Sequence, residues 1–256
     1  MRIPKIDKYI FKKINLVFNS KILKRRYIKI DKGPIKGFRW VNLVELYRYS
    51  LGTHEEELTD KLVSLLKPSS VFYDIGANVG YYSIIASQIV EGGEVYAFEP
   101  IPASRTLMNE HIDINNISNV NVLSYGVSDE IKKVSFTNSS HLSANSYILE
   151  GDTPNDGDML EVECISIDSG ISEKGFKPPS IIKIDVEGAE FDVLKGAKET
   201  IKKYKPIIFL ATHDSIVEGV TQSCISFLEN LGYDVSSTDD LKETSGQFDF
   251  YCEPKK

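Results

Sequence analysis

The sequence predicts a doubly wound α/β fold, in which helices cover both faces of a mostly parallel sheet. Three observations support this prediction. Apolar runs typical of buried strands alternate with helix-like segments from residue 70 onward. One of these runs ends at Asp74 and then turns through Gly76 and Gly80 into a helical pattern. Polar or acidic residues also follow the other predicted strands, where an open parallel sheet binds its ligands.

Length and charge predict one large domain preceded by a basic arm. The chain has 256 residues, of which 41% are hydrophobic, enough for one well-buried core. Residues 1–26 contain nine basic side chains and one acid, although the whole chain has a net charge of −7. Apolar residues recur in this arm at helical spacing, which predicts a basic amphipathic helix. We therefore predict a helical extension over residues 1–26 and a single α/β domain over residues 27–256.

The same features limit the partners and the location that we expect. Beyond the arm the chain is strongly acidic, which disfavours binding to nucleic acid. The arm either docks its apolar face on the domain or lies on an anionic membrane, and both options stay open. No run approaches the roughly 20 apolar residues of a membrane span, and no secretory signal is recognisable. The expected location is cytoplasmic, with peripheral contact at the inner face of the membrane as an option. The oligomeric state stays open.

Local signals define the elements before and around the glycine turn. Gly33 and Pro34 predict a turn between two short strands, Thr53 predicts a helix cap, and Pro68 predicts the end of that helix. Apolar runs and helical spacing then alternate regularly. The predicted elements are strands at 27–30 and 35–41, a helix at 54–66, a strand at 70–74, a helix at 79–90, a strand at 94–98, a helix at 102–115 and a strand at 119–124.

The pattern changes between residues 132 and 167, where short extended pieces surround a polar loop rich in glycine and aspartate. This change predicts a lid-like insertion. The alternation then resumes, and we expect the last strand to be antiparallel. The predicted elements here are a strand at 180–184, a helix at 189–203, a strand at 206–212, a helix at 220–231, and strands at 233–236 and 247–252.

The turn after Asp74 predicts a binding site for a nucleotide-containing cofactor. Glu99 ends the next strand, 19 residues beyond Gly80, where an acid can accept the hydroxyls of a ribose. A carboxylate at Asp74 would repel a pyrophosphate, but it suits a cationic ligand such as S-adenosylmethionine. Charge thus favours the methyl donor over a dinucleotide. An NAD-type oxidoreductase and a catalytically silent interaction protein remain the two alternatives.

Three blocks of this sequence resemble the signature blocks of FkbM-type methyltransferases. They are DIGANVGYY at 74–82, AFEP at 97–100 and IKIDVEGAE at 182–190. Two further segments, LGTHE and LSANS, are also similar to family segments, so the resemblance spans roughly residues 40–235. It implies a class I methyltransferase fold with a seven-stranded sheet and S-adenosylmethionine as cofactor. The implied reaction is O-methylation of a sugar, a glycan or a small secondary metabolite.

The resemblance also implies which residues bind the donor, and hydrogen-bonding side chains suggest which residues bind the acceptor. The glycine turn would surround the methionine part of the donor, and other residues would hold its ribose and adenine. The implied donor-binding residues are Asp74, Gly76, Ala77, Asn78, Gly80, Tyr82, Glu99, Pro100, Val127, Ser128, Asp129 and Asp185. The proposed acceptor-binding residues are Ser143, Asn145, Ser146 and Glu190.

Transfer of a methyl group to a hydroxyl benefits from a base, and three residues are candidates for the catalytic step. His213 ends an apolar strand on the cofactor side and is the first candidate, followed by Glu187 and Asp185. In a structural interpretation, the histidine bonds the backbone and the acids stabilise a helix N-terminus. These residues and Glu190 could also bind a divalent cation, but we predict no metal. FLATH at 209–213 departs from the family pattern, which has a glutamate near this strand end.

Overall fold

The computed structural model describes residues 27–43, 46–138, 158–238 and 247–255. The chain divides into two compact units, Met1–Glu56 and Glu57–Lys256. The predicted helix over residues 1–26 lies outside the described residues, so the helix and the domain boundary behind it stay predictions. None of the helices in the described segments is long and apolar enough to cross a membrane.

The described part of the first unit contains two short antiparallel strands, β1 (Tyr27–Lys29) and β2 (Arg39–Val41), and one helical turn, α1 (Tyr47–Ser50). The predicted second strand starts too early, at residue 35. Residues 34–37 form a turn instead. Backbone bonds from Gly37 N–H to Ile30 O at 2.7 Å and from Ile30 N–H to Phe38 O at 2.9 Å hold this turn. Its hydrogen bonds therefore delay the strand by four residues.

The second unit alternates strands and helices, as predicted. Its strands are β3 (Val71–Ile75), β4 (Glu94–Phe98), β5 (Val120–Leu123), β6 (Gly126–Val127), β7 (Lys132–Asn138), β8 (Asp158–Ile165), β9 (Ile181–Ile184), β10 (Ile207–His213), β11 (Tyr233–Ser237) and β12 (Gln247–Pro254). The accompanying helices are α2 (Glu56–Leu65), α3 (Tyr81–Ser87), α4 (Pro102–Ile114), α5 (Ile167–Glu173), α6 (Glu190–Gly196), α7 (Lys198–Tyr204) and α8 (Val220–Asn230).

Seven strands form one sheet in the order β11-β12-β10-β9-β3-β4-β5. The pairs from β10 to β5 are parallel, and β12 is antiparallel to both of its neighbours. The predicted doubly wound fold, including the antiparallel last strand, is thereby confirmed. Successive strands are added outward from β3 on one side and from β9 on the other. The switch point therefore lies between β3 and β9, and their carboxyl ends mark the expected ligand crevice.

The central strands are buried on both faces, which explains their continuous apolar sequences. Every residue of β9 is buried, and so are the last four residues of β3. Each strand nevertheless contains one charged residue, Lys183 in β9 and Asp74 in β3. Charged side chains are almost never fully buried unless they are paired. The centre of the sheet is therefore a candidate functional region.

The predicted insertion supplies β7 and β8 of a second, smaller sheet with the order β6-β8-β7, and β6 precedes the insertion. Strands β7 and β8 pair antiparallel, and β6 runs parallel to β8. The N–H of Ser128, just after β6, donates to Ile165 O at 2.9 Å, which extends the pairing of β6 with β8. Residues 139–157 lie outside the described residues, so the lid-like character of the insertion is untested.

The predicted helix at 189–203 is divided into α6 and α7 at Ala197, which caps the end of one and the start of the other. Asp168 stabilises the new start. Its two carboxylate oxygens accept the backbone N–H groups of Glu199 at 3.0 Å and Thr200 at 2.8 Å. Because a carboxylate cap satisfies the first N–H groups of a helix, Asp168 favours a second helix over continuation of the first.

His111 is a buried polar residue that supports the glycine turn. It is fully buried on α4, and its Nδ1 lies 3.0 Å from the carbonyl oxygen of Val79. A carbonyl oxygen only accepts hydrogen bonds, so Nδ1 carries a proton and donates it. Burial lowers the pKa of His111 to about 4, and the ring is therefore neutral at pH 7. Nothing in the sequence pattern indicates this contact.

We expect His111 to make the folded protein sensitive to acid. The unfolded chain protonates this histidine below its ordinary pKa of 6.5, whereas the folded state keeps the ring neutral down to about 4. The contribution of His111 to the free energy of unfolding is therefore fully present above pH 6.5. About 3 kcal/mol of it is lost as the pH falls towards 4. His111→Asn keeps a donor for Val79 but does not titrate. Its free energy of unfolding in urea should fall less over this range than that of the wild type. Equal pH dependence in the two proteins would contradict the assignment.

Candidate active site

The switch point brings the ends of β3 and β9 together. Asp74 and Ile75 of β3 pair in register with Lys183 and Ile184 of β9. The next residue of the second strand continues the contact, since Asp185 N–H donates to Ile75 O at 3.0 Å. Two of the three sequence blocks that suggested a cofactor site therefore meet at one crevice.

The third block holds the glycine turn in place from the end of β4. The N–H groups of Gly76 and Ala77 both donate to Phe98 O at 3.0 Å. The N–H of Asn78 donates to Glu99 Oε2 at 2.8 Å. All three blocks thus contribute to the same end of the sheet, and the turn is fixed by hydrogen bonds on its β4 side.

Left-handed backbone conformations and close contacts explain the glycines of this turn. The φ angles of Gly76, Asn78 and Gly80 are 79°, 50° and 88°. A β carbon on Gly76 would lie 1.9 Å from Asp185 O, and one on Gly80 would lie 2.6 Å from Met108 Cγ. Glycine avoids both the conformational strain and the collisions. The backbone of the turn can therefore lie directly against the end of β9.

Asp74 is a buried carboxylate whose surroundings suit a cationic ligand. It is 1% exposed, and its Oδ2 accepts the Ser83 hydroxyl at 2.6 Å. Its Oδ1, like Asn78 Oδ1, is buried and has no hydrogen-bond partner among the described residues. Burial raises the pKa of Asp74, although the nearby Lys183 opposes this shift. Two buried acceptors that lack donors in the described part of the chain fit a ligand with an ammonium group.

Glu99 supports the turn and is also placed for a ligand. It is 5% exposed, and its carboxylate oxygens accept the N–H groups of Asn78 and Ile101, both at 2.8 Å. Burial raises the pKa of Glu99 to about 7, although these two hydrogen bonds favour the charged form. Each carboxylate oxygen has a second lone pair. Acceptance of the ribose hydroxyls therefore remains compatible with the geometry.

Lys183 lies among the candidate site residues, although it is not one of the residues predicted from the sequence. It is 4% exposed, and its Nζ lies 3.2 Å from Asp185 Oδ2 and 4.7 Å from the centroid of the Tyr82 ring. It is also the in-register neighbour of Asp74. The sequence does contain one indication of this role, because a lysine stands within an otherwise apolar predicted strand. Its cation offsets the two aspartates and lets both remain near the centre of the sheet.

A histidine and three acids meet at the ends of β9 and β10. His213 Nδ1 lies 2.7 Å from Glu190 Oε1, and its Nε2 lies 3.7 Å from both Asp185 Oδ1 and Glu187 Oε2. Burial alone would lower the pKa of His213, but the carboxylates outweigh it and raise the pKa to about 8. The ring is therefore mostly protonated at pH 7. We call Asp185, Glu187 and His213 the acceptor corner.

Glu190 lies behind the acceptor corner. It is fully buried, and its Oε1 accepts the N–H of Gly188 at 2.9 Å in addition to contacting His213. The side chains of Asp185 and Glu187, in contrast, are 31% and 51% exposed. This burial argues against the predicted contact between Glu190 and the acceptor. Glu190 is better described as a positioning residue that orients the His213 ring.

The resemblance places Val127, Ser128 and Asp129 around the adenine, and in the structure the Asp129 carboxylate contacts two lysines. Asp129 lies 2.6 Å from Lys132 Nζ and 3.6 Å from Lys195 Nζ. The bond to Lys132 is the main cause that lowers the pKa of Asp129 to about 2. Donor contacts of Pro100, Val127, Ser128 and Asp129 stay predictions. The proposed acceptor residues Ser143, Asn145 and Ser146 lie outside the described residues.

Strand order, the glycine turn and the acids around it define a class I methyltransferase fold. A crystal structure of methyltransferase FkbM from Methylobacillus flagellatus has a similar fold, with a TM-score of 0.51 and 17% sequence identity. The match covers 80% of this chain and 53% of that one. The family model of the methyltransferase FkbM domain matches residues 74–235, which is more than half of the chain. The chain therefore belongs to the FkbM methyltransferase family, which implies a donor of the S-adenosylmethionine type.

Two curated proteins are similar to this chain in sequence. Hexuronic acid methyltransferase AglP of Haloferax volcanii is 28% identical over 164 residues, which cover 64% of this chain and 65% of AglP. The 2-O-methyltransferase NoeI of Sinorhizobium fredii is 28% identical over 179 residues, which cover 62% of this chain and 70% of NoeI. The chain thus spans a little less than two thirds of the length of AglP.

We expect Gly76→Ala to destabilise the protein more than Gly175→Ala. Both glycines have left-handed backbones, with φ angles of 79° and 74°. An added β carbon would collide with Asp185 O at residue 76 but would meet nothing within 4 Å at residue 175. The control should lose only about 1–2 kcal/mol from its backbone conformation. Unfolding in urea measures both losses, and equal values would contradict the packing described for the turn.

Proposed function

We propose that the protein transfers a methyl group from S-adenosylmethionine to a hydroxyl group of a sugar, glycan or small metabolite. The observation that carries the proposal is the buried Asp74 carboxylate beside the glycine turn, with one oxygen that has no hydrogen-bond partner among the described residues. The amino group of the donor is a suitable partner for this oxygen and for Asn78 Oδ1. Glu99 would accept the ribose hydroxyls.

Charge supports this donor over the dinucleotide alternative. The crevice contains the carboxylates of Asp74, Glu99 and Asp185, and Lys183 is already 3.2 Å from Asp185. A pyrophosphate would oppose the ionisation of these carboxyl groups, whereas the sulfonium and ammonium of S-adenosylmethionine would favour their charged forms. Family membership supports the same choice. The glycine turn and the acids beside it, Asp74 and Glu99, also argue against a catalytically silent fold.

The acceptor corner is the proposed place of the acceptor hydroxyl. When bound, S-adenosylmethionine supplies an electrophilic methyl carbon; the new carbon–oxygen bond replaces the carbon–sulfur bond, whose electron pair stays on sulfur. The hydroxyl proton must leave as this happens. Glu187, half exposed beside His213 Nε2, is suited to accept it and pass it to solvent. His213 and Asp185 orient the hydroxyl, because a protonated imidazole donates hydrogen bonds and Asp185 accepts them.

The acceptor class is proposed from the relatives and from the corner together. AglP is named for methylation of a hexuronic acid and NoeI for 2-O-methylation. A half-exposed corner with carboxylates and an imidazole offers both donors and acceptors to a polyhydroxylated ring. A sugar hydroxyl is therefore the first acceptor to test, followed by hydroxylated secondary metabolites.

We expect Asp74→Asn to weaken donor binding by roughly tenfold or more, because the substitution keeps the shape and removes the charge that faces the ammonium. Asp113→Asn, an exposed acid on α4, should bind like the wild type. Titration calorimetry with S-adenosylmethionine and S-adenosylhomocysteine measures this difference. Unchanged affinity in Asp74→Asn would refute the assigned contact, and binding of NAD instead of either ligand would refute the proposed function.

We expect His213→Ala to keep its affinity for S-adenosylhomocysteine within about twofold but to lose roughly a hundredfold in turnover, because a hydrogen bond that orients the acceptor is lost. The reason is that His213 lies at the acceptor corner and makes no contact with the glycine turn among the contacts described. Transfer of labelled methyl groups to a panel of hexuronic acids, neutral hexoses and hydroxylated metabolites measures turnover. His54→Ala, which replaces a histidine of the first unit, is the control. Full turnover in His213→Ala would exclude the acceptor corner as the reaction site.

A further inference from the structure

We propose that the acceptor corner is a divalent cation site, with His213 Nε2, Asp185 Oδ1 and Glu187 Oε2 as its protein ligands. The proposal rests on the proposed function for its role, since the cation would bind and polarise the acceptor hydroxyl. It does not rest on that function for its existence. It replaces the sequence-based prediction that no metal is bound. The cation would displace the proton from His213 Nε2, because a metal-ligating imidazole binds through a deprotonated nitrogen. Its contact with the hydroxyl would replace the hydrogen bonds from His213 and Asp185.

The spacing of the three atoms suits one ion. Nε2 lies 3.7 Å from each carboxylate oxygen, and all three atoms lie within 4.8 Å of one another. Ligands about 2.1 Å from an ion are separated by about 3.0 Å at right angles and by about 4.2 Å on opposite sides. Both separations from Nε2 fall within this range, and the two carboxylate oxygens lie at most 4.8 Å apart. The Glu187 side chain is half exposed and can adjust to an ion.

The buried histidine is oriented in the way that metal-binding histidines are. Its Nδ1 lies 2.7 Å from Glu190 Oε1, which fixes the ring and directs Nε2 towards Asp185 and Glu187. A carboxylate behind the imidazole is the usual outer partner of a metal-ligating histidine. Glu190 is fully buried, and its Oε2 has no hydrogen-bond partner among the described residues. The sequence suggested Glu190 as a fourth ligand, but the structure gives it the role of orienting His213.

The local charge also favours a cation. Three carboxylates surround His213, and Lys183 contacts Asp185 through Oδ2 rather than through the Oδ1 that faces the histidine. One nitrogen and two oxygens form a mixed ligand set that suits Mn²⁺ or Zn²⁺ better than Ca²⁺. The exposed fractions of Asp185 and Glu187, 31% and 51%, provide a path from solvent. We therefore choose Mn²⁺ as the probe.

The experiment titrates the full-length protein with Mn²⁺, with and without S-adenosylhomocysteine, and follows free Mn²⁺ by electron paramagnetic resonance. We expect one saturable site per chain. Glu187→Gln and Asp185→Asn should each weaken it by tenfold or more. Glu173→Gln, which removes an exposed acid at the end of α5, should leave it unchanged. In the bound wild type, spin-echo modulation from an imidazole nitrogen should be present, and it should disappear in His213→Gln.

The outcomes separate the cation site from the proposed function. Absence of saturable Mn²⁺ binding, or equal binding in Glu187→Gln and the control, would overturn the site. Loss of the nitrogen signal in His213→Gln, with circular dichroism unchanged, would support it independently of activity. Failure to bind S-adenosylhomocysteine while Mn²⁺ still binds would overturn the methyl-transfer proposal and leave the cation site standing.

Discussion

The buried pairing of charges on β3 and β9 is the interaction on which the rest of this structure depends. Asp74 and Lys183 are neighbours in register at the centre of the sheet, and each is nearly inaccessible to solvent. Removing a charge from water costs several kcal/mol, and apolar residues of similar size would often stabilise a sheet better. Fold stability therefore does not explain this pair. The proposed cationic donor at the carboxyl ends of the strands would explain it, because Asp74 would then face a ligand and Lys183 would limit the excess of negative charge.

The glycine turn lies beside this charged pair and forms one wall of the candidate site. Its N–H groups are bound by Phe98 and Glu99 of the next strand, and Gly76 lies against the carbonyl of Asp185. His111 supports the turn from α4 through Val79. Hydrogen bonds from the end of β4 and from α4, together with the close contact at the end of β9, therefore fix the position of the turn. Such preorganisation matters for methyl transfer, where much of the rate comes from orientation of the reacting atoms.

The sequence predicted the sheet and the donor side well, because their signals are local. Apolar strands, a turn with glycines and an acid after each strand are all visible in short windows. The sequence predicted less well those features that depend on contacts between residues distant in the chain. The break at Ala197 depends on Asp168, which is distant in sequence, and the burial of Glu190 depends on its bond to His213. The raised pKa of His213 requires three carboxylates from a neighbouring segment, so the spacing that suggested a base could not reveal it.

Asp185 connects the two halves of the site and makes them interdependent. Its backbone N–H donates to Ile75, and its carbonyl oxygen packs against Gly76, so its backbone belongs to the donor side. Its side chain belongs to the acceptor side, since one carboxylate oxygen contacts Lys183 and the other faces His213. A shift of the glycine turn must therefore move a residue of the acceptor corner. A distance error of even about 1 Å at a reacting centre is costly, so under the proposed function the close contact at Gly76 would matter for catalysis as well as for stability.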